Sequence, residues 1–553
     1  MPSSSNSSEP TRPIPMPVVD EGRNMHAVTT LSPKQNTTRA RVPIPPEKVM
    51  PVIVVPGIMG SNLRASASGG NAALKQNEPA WRPPNANSDA IQEIRKWKSR
   101  NPAKRQRVLD PDTLEVDPTG EIIVPPSTTE FVWDGDTAVS RGWGEIHSGS
   151  YGQLLALLQM SLNVTFRPLW GKPLLAEHWL YLNKFNRANW GTTKTGVAAE
   201  LTNDEMKKFA EFHYPVYAFG YNWLQCNSVS ANKLGARIDE IIAFWKAAQF
   251  KCDSAILVSH SMGGLVSRAC AKNMPEKITG IIHGVMPALG APACYRRLAC
   301  GTEDNSPTNS VVDNFLAGGF AAIAGKDEAE TTPVLAVAPG PLELLPNHLY
   351  PKSWLSLELT SKTRQQSTVV ELSFENPYNF YRDFRSWYRA IDLALVDPAG
   401  KLGKEVETTV SNAIGKAERF HMETLGTYYH PQTFAFYGAD VHQASFGTCR
   451  WKSTTVGTGF STGEVESGAL VRSEHAKVDE RTVVFYDGSY FNFRHSVQDV
   501  AGDGTVPWQS GMDPEGKVLQ AFRTVGFDHQ GSYKNEAMNS LTLHLIVKLM
   551  QKK

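Results

Sequence analysis

The stretch AILVSHSMGGLV, residues 255–266, decides which fold this chain is expected to adopt. It begins with a short apolar run typical of a buried strand and ends with the start of an apolar-faced helix. The small residues between them allow a tight turn that exposes the hydroxyl of Ser261, as in a nucleophile elbow, with Ser259 where that pattern usually has a glycine. The free N–H groups of the helix start can stabilise negative charge beside this hydroxyl. Taken alone, the stretch is explained equally well by a structural turn.

A second stretch, PVIVVPGIMGSN at residues 51–62, reads as a β-branched strand followed by a glycine-punctuated turn. An acyl-transfer site needs two N–H donors for its oxyanion, and one usually comes from the loop after an early strand. We therefore predict that the backbone N–H of Ile58 pairs with that of Met262, the residue after Ser261. On its own, an ordinary strand and turn is the better interpretation of this stretch.

Two C-terminal stretches offer the remaining groups that an activated serine requires. They are GDGTVP at residues 502–507 and VGFDHQG at residues 525–531. A serine needs a base to remove its proton, and the base needs an acid to orient it. Asp503 lies between glycines and His529 follows a strand-like segment. The order Ser261, Asp503, His529 is the one expected of an α/β-hydrolase, whereas His260 is expected to be structural because the elbow turns its side chain away.

These motifs together resemble a known family. The set comprises VVPGIMGSNL, SHSMGG, FYGAD, GDGTVP and a late histidine, and it resembles the lecithin:cholesterol acyltransferase-like branch of the α/β-hydrolases. It also looks like the related deacylases that act on lipid-linked inositol. Further segments, MPALGA at residues 286–291 and LLP at residues 344–346, resemble bacterial lipases delivered by type VI secretion. The resemblance extends from about residue 49 to the C-terminus.

The resemblance implies a role for each matched residue. Ser261 would be the nucleophile, Asp503 the acid and His529 the base, with Ile58 and Met262 as oxyanion donors. The segment GYNW at residues 220–223 is similar to a Tyr-Asp-Trp element of that branch, but an asparagine replaces its carboxylate. No cofactor and no metal site are predicted.

Composition restricts the class of protein further. The chain has 553 residues, more than the roughly 250 residues of a minimal hydrolase domain. Of these residues, 41% are hydrophobic, which is enough to form a core. Its 56 basic and 55 acidic residues give no field that would attract nucleic acid or an anionic membrane. Cys294 and Cys300 are close enough in sequence to form a bridge, but free thiols are favoured. Glu303 and Asp304 are expected to form a solvated acidic patch.

The chain is expected to comprise a flexible Ser/Pro-rich extension at residues 1–48 and one α/β-hydrolase domain at residues 49–553. The domain would have a mostly parallel sheet flanked by helices, with insertions at about 64–140, 290–427 (a cap or lid) and 440–500. Residues 107–124 are predicted to form a hairpin. The apolar run at residues 315–324 is interpreted as buried core, with a lid as the alternative, and Trp143 or Trp223 is a candidate to line the pocket.

The predicted function is a serine esterase that hydrolyses acyl esters of lipids through an acyl-enzyme, of the lipase or phospholipase A type. As the resemblance implies, it would be a secreted antibacterial effector that acts on lipid or phospholipid at a membrane surface. Its partners would be an immunity protein and a secretion-system carrier, and no nucleic acid. The N-terminus has no Sec signal peptide, so the protein is expected either to stay in the cytoplasm or to leave by a route that reads no cleavable signal. The resemblance implies a protein that is cytoplasmic in its producer and is secreted into the periplasm of a target cell. An acyltransferase, a non-catalytic binding protein and a peptidase remain as alternatives.

Overall fold

The computed structural model describes residues 46–85, 87–123, 135–169, 172–194, 196, 198–303, 321–360, 367–455, 460–472 and 478–553. It also describes three short strands within the predicted N-terminal extension. These strands, Val18–Val19, Met25–Thr30 and Arg39–Ile44, pair in an antiparallel sheet. The remainder of residues 1–45 lies outside the described residues.

Six parallel strands form the central sheet. In chain order they are β1 (Val52–Val55), β2 (Val216–Ala218), β3 (Ala255–His260), β4 (Ile278–Gly284), β5 (Thr433–Gly438) and β6 (Gln520–Thr524). Their order across the sheet is β2-β1-β3-β4-β5-β6. All five pairings are parallel, which confirms the predicted sheet. The carboxyl ends of the strands therefore meet at one edge, where Ser261 follows β3.

Helices cover both faces of this sheet. The main ones are α1 (Ser148–Leu162), α2 (Asn227–Ala247), α3 (Gly263–Asn273) and α4 (Glu536–Met550). Alternate strand residues enter two separate cores. Ile53 and Leu257 pack in the core that includes α2 and α3, whereas Val54 and Val258 pack in the core that includes α1 and α4. Because both faces are covered, β3 is buried along its whole length and shows no polar alternation.

A second six-stranded sheet unites two of the predicted insertions. Its strands are Leu355–Leu359, Thr368–Leu372, Cys449–Ser453, Ala469–Val471, Glu480–Val484 and Tyr490–His495. The strand Leu355–Leu359 pairs in parallel with Cys449–Ser453. Residues from the 290–427 insertion and from the 440–500 insertion thus contribute to one sheet.

The first insertion, at about 64–140, contains a small antiparallel sheet rather than the predicted hairpin. The strand Leu63–Ala65 lies between Pro79–Trp81 and Leu114–Val116. The prediction of a hairpin at residues 107–124 is wrong for residues 107–123. Residues 107–108 belong to the helix Pro102–Val108, and the strand Leu114–Val116 pairs with Leu63–Ala65 instead of with a neighbouring segment. Val124 lies outside the described residues.

The remaining elements connect these layers. Further helices are Asn87–Lys98, Gly135–Ser140, Glu177–Lys184, Asn203–Phe209, Pro292–Cys300, Glu328–Leu335, Pro339–Leu342, Pro377–Tyr381, Val406–Arg419, Thr462–Glu466 and Trp508–Gly511. Paired short strands are Lys48–Val49 with Phe212–His213, Phe166–Leu169 with Lys172–Leu175, and Asp440–Ser445 with Val500–Gly502. Among the described residues, no helix combines the length and hydrophobicity needed to span a bilayer.

Two sequence expectations fall in the cap. Residues 315–320 of the predicted apolar segment lie outside the described residues, and residues 321–324 are helical. The guanidinium of Arg105 donates to the carbonyls of Ala322 and Ile323 at 2.9 Å each. All six cysteines are unpaired. Cys294 and Cys300 are six residues apart on the single helix Pro292–Cys300, a rise of about 9 Å, which is too far for a bridge.

Candidate active site

Ser261 lies in a sharp turn between β3 and α3, and the backbone there adopts a left-handed conformation with φ of 52°. Its N–H donates to the carbonyl of Gly284 at 2.9 Å, so the turn is fixed to the end of β4. A Cβ at Gly263 would lie 2.4 Å from the carbonyl oxygen of Pro56, which explains why glycine follows the turn. Ser259, in the usual glycine position, is buried with its hydroxyl 2.8 Å from Nδ1 of His283.

The three residues predicted to act together form one continuous hydrogen-bonded line. Nε2 of His529 lies 2.8 Å from Oγ of Ser261, and Nδ1 lies 2.8 Å from Oδ2 of Asp503. The other carboxylate oxygen of Asp503 accepts from the N–H groups of Thr505 and Val506 at 3.0 and 2.7 Å. With Nδ1–H donating to the carboxylate, Nε2 is left as the acceptor for the serine proton.

The two predicted oxyanion donors flank this serine. A Cβ at Gly57 would lie 2.9 Å from Cβ and 3.4 Å from Oγ of Ser261, so the turn after β1 contacts the serine directly. The backbone N–H groups of Ile58 and Met262 donate to no residue that the structure describes. Free N–H groups at a helix start and in a facing turn are what an oxyanion requires. Their role in catalysis remains a prediction.

A cavity of about 560 Å³ opens onto Ser261 and His529, a volume typical of ligand sites. Several of the lining residues that the cap contributes are apolar: Ala291, Leu298, Leu335, Pro341, Leu342 and Leu344. An acyl chain would therefore find an apolar surface beside the serine. A more open cavity of about 670 Å³ lies at Tyr181 and Val525 and includes none of the predicted site residues.

The cavity wall also holds one ion pair, Arg297 with Glu303, at 2.9 Å. Burial would raise the pKa of the Glu303 carboxyl, but the guanidinium groups of Arg297 and Arg296 hold it below its ordinary value. The expectation that Glu303 belongs to a solvated acidic patch is therefore wrong, because the cap folds it inward. Asp304 lies outside the described residues.

Two tryptophans suggested from the sequence do not line the cavity. Trp143 is buried and its indole N–H donates to the carbonyl of Val216 at 3.0 Å. Trp223 is also buried and packs edge-on against Trp81. Both side chains fill cores, which corrects the expectation that one of them lines the pocket.

Asn222 shows why an amide replaces a carboxylate in the GYNW segment. Its Nδ2 donates to the carbonyls of Pro111 and Leu114 at 3.0 and 3.1 Å, and its Oδ1 accepts from the N–H of Leu224. A carboxylate at this buried position would face two carbonyl oxygens without a donor. This asparagine is a structural link between the first insertion and the strand-end loop after β2.

Two residues near the serine were not identified from the sequence. Tyr151 carries no functional prediction from the sequence, and His260 is predicted only to be structural. Both are buried, and the Tyr151 hydroxyl lies 2.8 Å from Nδ1 of His260. Their sequence signal is weak, since a tyrosine at the start of a helix is usually core. The described residues contain no cluster of three or more His, Cys, Asp or Glu side chains that could hold a metal ion.

The fold is that of an α/β-hydrolase, and the similarities to known proteins support a lipase-type hydrolase. A sequence family described as "PGAP1-like alpha/beta domain" matches residues 195–304, a segment that includes β3 and Ser261. Among curated proteins, no sequence matches this chain significantly.

A particular solved structure resembles the chain over nearly its whole length. It is the crystal structure of the Tle4–Tli4 complex, in which the matching chain is 25% identical with a TM-score of 0.72. The match covers 91% of this chain and 98% of that chain. The predicted α/β-hydrolase fold and the resemblance to type VI secretion lipases are confirmed by these similarities.

Proposed function

We propose that this protein is a serine esterase that hydrolyses acyl esters of lipids, of the lipase or phospholipase A type. One observation supports this most directly: the hydrogen-bonded line from Ser261 through His529 to Asp503, with 2.8 Å at both joints. These distances are within the range in which a histidine can accept a serine proton. The carboxylate end of the line is 1% exposed and therefore well shielded from water.

The proposed reaction proceeds through an acyl-enzyme. His529 accepts the proton of Ser261 as Oγ attacks the ester carbonyl, and Asp503 stabilises the imidazolium that forms. The N–H groups of Ile58 and Met262 bind the oxyanion, and each such donor typically lowers the barrier by ~3 kcal/mol. His529 then returns the proton to the leaving alcohol. Water, activated by the same histidine, releases the fatty acid.

We also propose that the protein acts as a secreted antibacterial effector with a dedicated immunity protein. The similarity to the chain in the Tle4–Tli4 complex supports this proposal, because that structure contains two proteins bound to each other. The proposed route is delivery from the producer into a target cell, where phospholipid is available at a membrane surface. The apolar cavity wall formed by the cap is suited to such a substrate.

Replacement of Ser261 by alanine tests the proposed chemistry. We expect S261A to lose hydrolysis of p-nitrophenyl esters and labelling by a fluorophosphonate probe, while its melting temperature stays near that of the wild type. The matched control is Ser259→Ala, because that serine is also buried but its hydroxyl contacts His283. S259A should keep its activity and its labelling. Ester turnover by S261A at the wild-type rate would refute the assignment.

The products identify the substrate class. Incubation of the wild type with mixed phospholipids and neutral glycerides, followed by mass spectrometry, should show free fatty acid and lysophospholipid. Addition of an alcohol acceptor separates hydrolysis from acyl transfer, since a transferase would convert the acceptor into a new ester. Absence of any lipid product, together with retained p-nitrophenyl esterase activity, would contradict the lipase proposal alone.

A further inference from the structure

A second hydrogen-bonded line runs behind the proposed catalytic residues. The N–H of Gly57 donates to the hydroxyl oxygen of Tyr151 at 3.0 Å. That hydroxyl lies 2.8 Å from Nδ1 of His260, and Nε2 of His260 lies 2.9 Å from the carbonyl oxygen of His529. The line therefore begins one residue before Ile58 and ends on the main chain of His529.

Chemistry fixes the direction of every bond in this line. A carbonyl oxygen only accepts, so Nε2 of His260 carries the proton that it donates to His529. Burial, followed by the proximity of His529, lowers the pKa of His260 to about 3, so the ring is neutral and its Nδ1 is an acceptor. The hydroxyl proton of Tyr151 must then point to Nδ1. Its oxygen is left to accept from the N–H of Gly57.

The surroundings leave this line little freedom. Tyr151 and His260 are 2% exposed each, and their rings pack edge-on with centroids 5.6 Å apart. A Cβ at Gly57 would lie 2.9 Å from Nδ1 of His260, so turn and ring are in direct contact. Reversal of any one bond would leave a buried polar atom without a partner, which is costly.

We propose that Tyr151 and His260 are positioning residues, which hold the turn that carries the Ile58 N–H and the backbone of His529 at fixed places around Ser261. This inference rests on the proposed function, because it concerns the oxyanion donor and the base of that reaction. Neither side chain contacts the reacting atoms in this role. They keep the Ile58 N–H and the backbone of His529 in position, since displacements of less than about 1 Å in such sites are expected to slow the chemical step.

The first test compares two buried tyrosines. Tyr151→Phe keeps the ring and removes the donor to His260 and the acceptor for Gly57. Tyr533→Phe is the matched control, because its hydroxyl is equally buried beside His260 but donates to the carbonyl of Ser259 at 3.0 Å. We expect Y151F to reduce kcat 10- to 100-fold with KM changed less than twofold. Y533F should lower the melting temperature by a similar amount and keep kcat within threefold.

The second test replaces the histidine and does not depend on the folding of Y151F. A glutamine at position 260 offers one amide donor and one carbonyl acceptor, spaced much like the two ring nitrogens, whereas leucine offers neither. We expect His260→Gln to retain at least ten times more kcat than His260→Leu. The rate of fluorophosphonate labelling of Ser261 should follow the same order, because it reports the acylation step.

The outcomes separate this inference from the proposed function. If Y151F and Y533F have the same kcat, or if H260Q and H260L are equally active, Tyr151 and His260 only fill space and the inference is wrong. In that case the wild type would still hydrolyse esters and S261A would not. If S261A remains active, the proposed function itself is wrong, whatever the other variants show.

Discussion

At the scale of single residues, Asp503 shows how a carboxylate is oriented before any substrate binds. One of its oxygens accepts two backbone N–H groups, from Thr505 and Val506, which leaves the other to face His529. The backbone N–H of His529 also donates to the carbonyl of Asp503 at 2.7 Å. Acid and base are therefore joined at two points, and the ring has one stable orientation.

Asp503→Asn should separate orientation from charge. The amide oxygen would still accept from Thr505 and Val506, so its NH₂ group would face Nδ1 of His529 and donate to it. The ring proton would then sit on Nε2, where it blocks acceptance of the Ser261 proton. We expect kcat to fall by about 10³- to 10⁴-fold, measured with p-nitrophenyl esters, with little change in melting temperature.

The control for this variant is Asp528→Asn. Asp528 lines the same cavity and precedes His529, but its carboxylate accepts from the N–H of Gly531. D528N should keep most of the activity. A D503N protein as active as D528N would show that Asp503 does not set the tautomer of His529.

At the scale of elements, the close approach of α3 to β1 positions the elbow against the turn that follows β1. A Cβ at Gly263 would lie 2.4 Å from the carbonyl oxygen of Pro56 and 2.5 Å from that of Val55. Both contacts are with backbone, which cannot move aside as a side chain can. The glycine after the elbow thus permits the distance between Ser261 and the turn at Gly57.

Gly263→Ala should therefore destabilise the fold and impair the site together. We expect a loss of about 1–3 kcal/mol in the free energy of unfolding, measured by urea denaturation, and a clear fall in esterase activity. The matched change is Gly235→Ala in α2, where a Cβ would meet only side-chain atoms: Sδ and Cε of Met274 at 3.1 and 3.6 Å, and Sγ of Cys270 at 3.9 Å. That variant should be neutral or more stable by up to about 1 kcal/mol. Equal stabilities for the two variants would contradict this account.

At the scale of the whole molecule, the core contains many neutral histidines. Burial is the main cause that lowers their pKa values. The pKa falls to about 4 for His213 and His421. It falls to about 3 for His260, His283, His495 and His544. In the unfolded chain each would titrate near 6.5. Below that pH the unfolded state binds more protons, so acid favours unfolding.

The melting temperature should therefore fall steeply as the pH decreases from 7 to 5. Each histidine that stays neutral in the fold adds a loss of about 1.4 kcal/mol per pH unit below 6.5. His544→Gln should make the melting temperature depend less steeply on pH, because one fewer proton is taken up on unfolding. Scanning calorimetry across this range measures both effects. A melting temperature that is constant from pH 7 to pH 5 would contradict the prediction.

The parallel sheet, the elbow and the three residues of the hydrogen-bonded line could all be predicted from the amino-acid sequence. These features depend on short-range patterns: an apolar run, small residues at a turn, and motifs at the ends of strands. Because strand ends in a parallel sheet share one edge, even Ser261 and His529 could be expected to meet. Patterns of this kind are local, and a single sequence contains them in full.

The pairing of distant segments, by contrast, could not be predicted from the sequence and is seen only in the folded chain. The parallel pairing of Leu355–Leu359 with Cys449–Ser453 and the line through Tyr151 and His260 both depend on contacts between residues far apart in the chain. Such contacts form because the assembled fold buries apolar side chains and pairs buried polar groups. A local sequence pattern is compatible with many alternative partners elsewhere in the chain, so it does not identify the right one. The physical reason is that a residue's type limits which bonds it can make, while packing selects the partner.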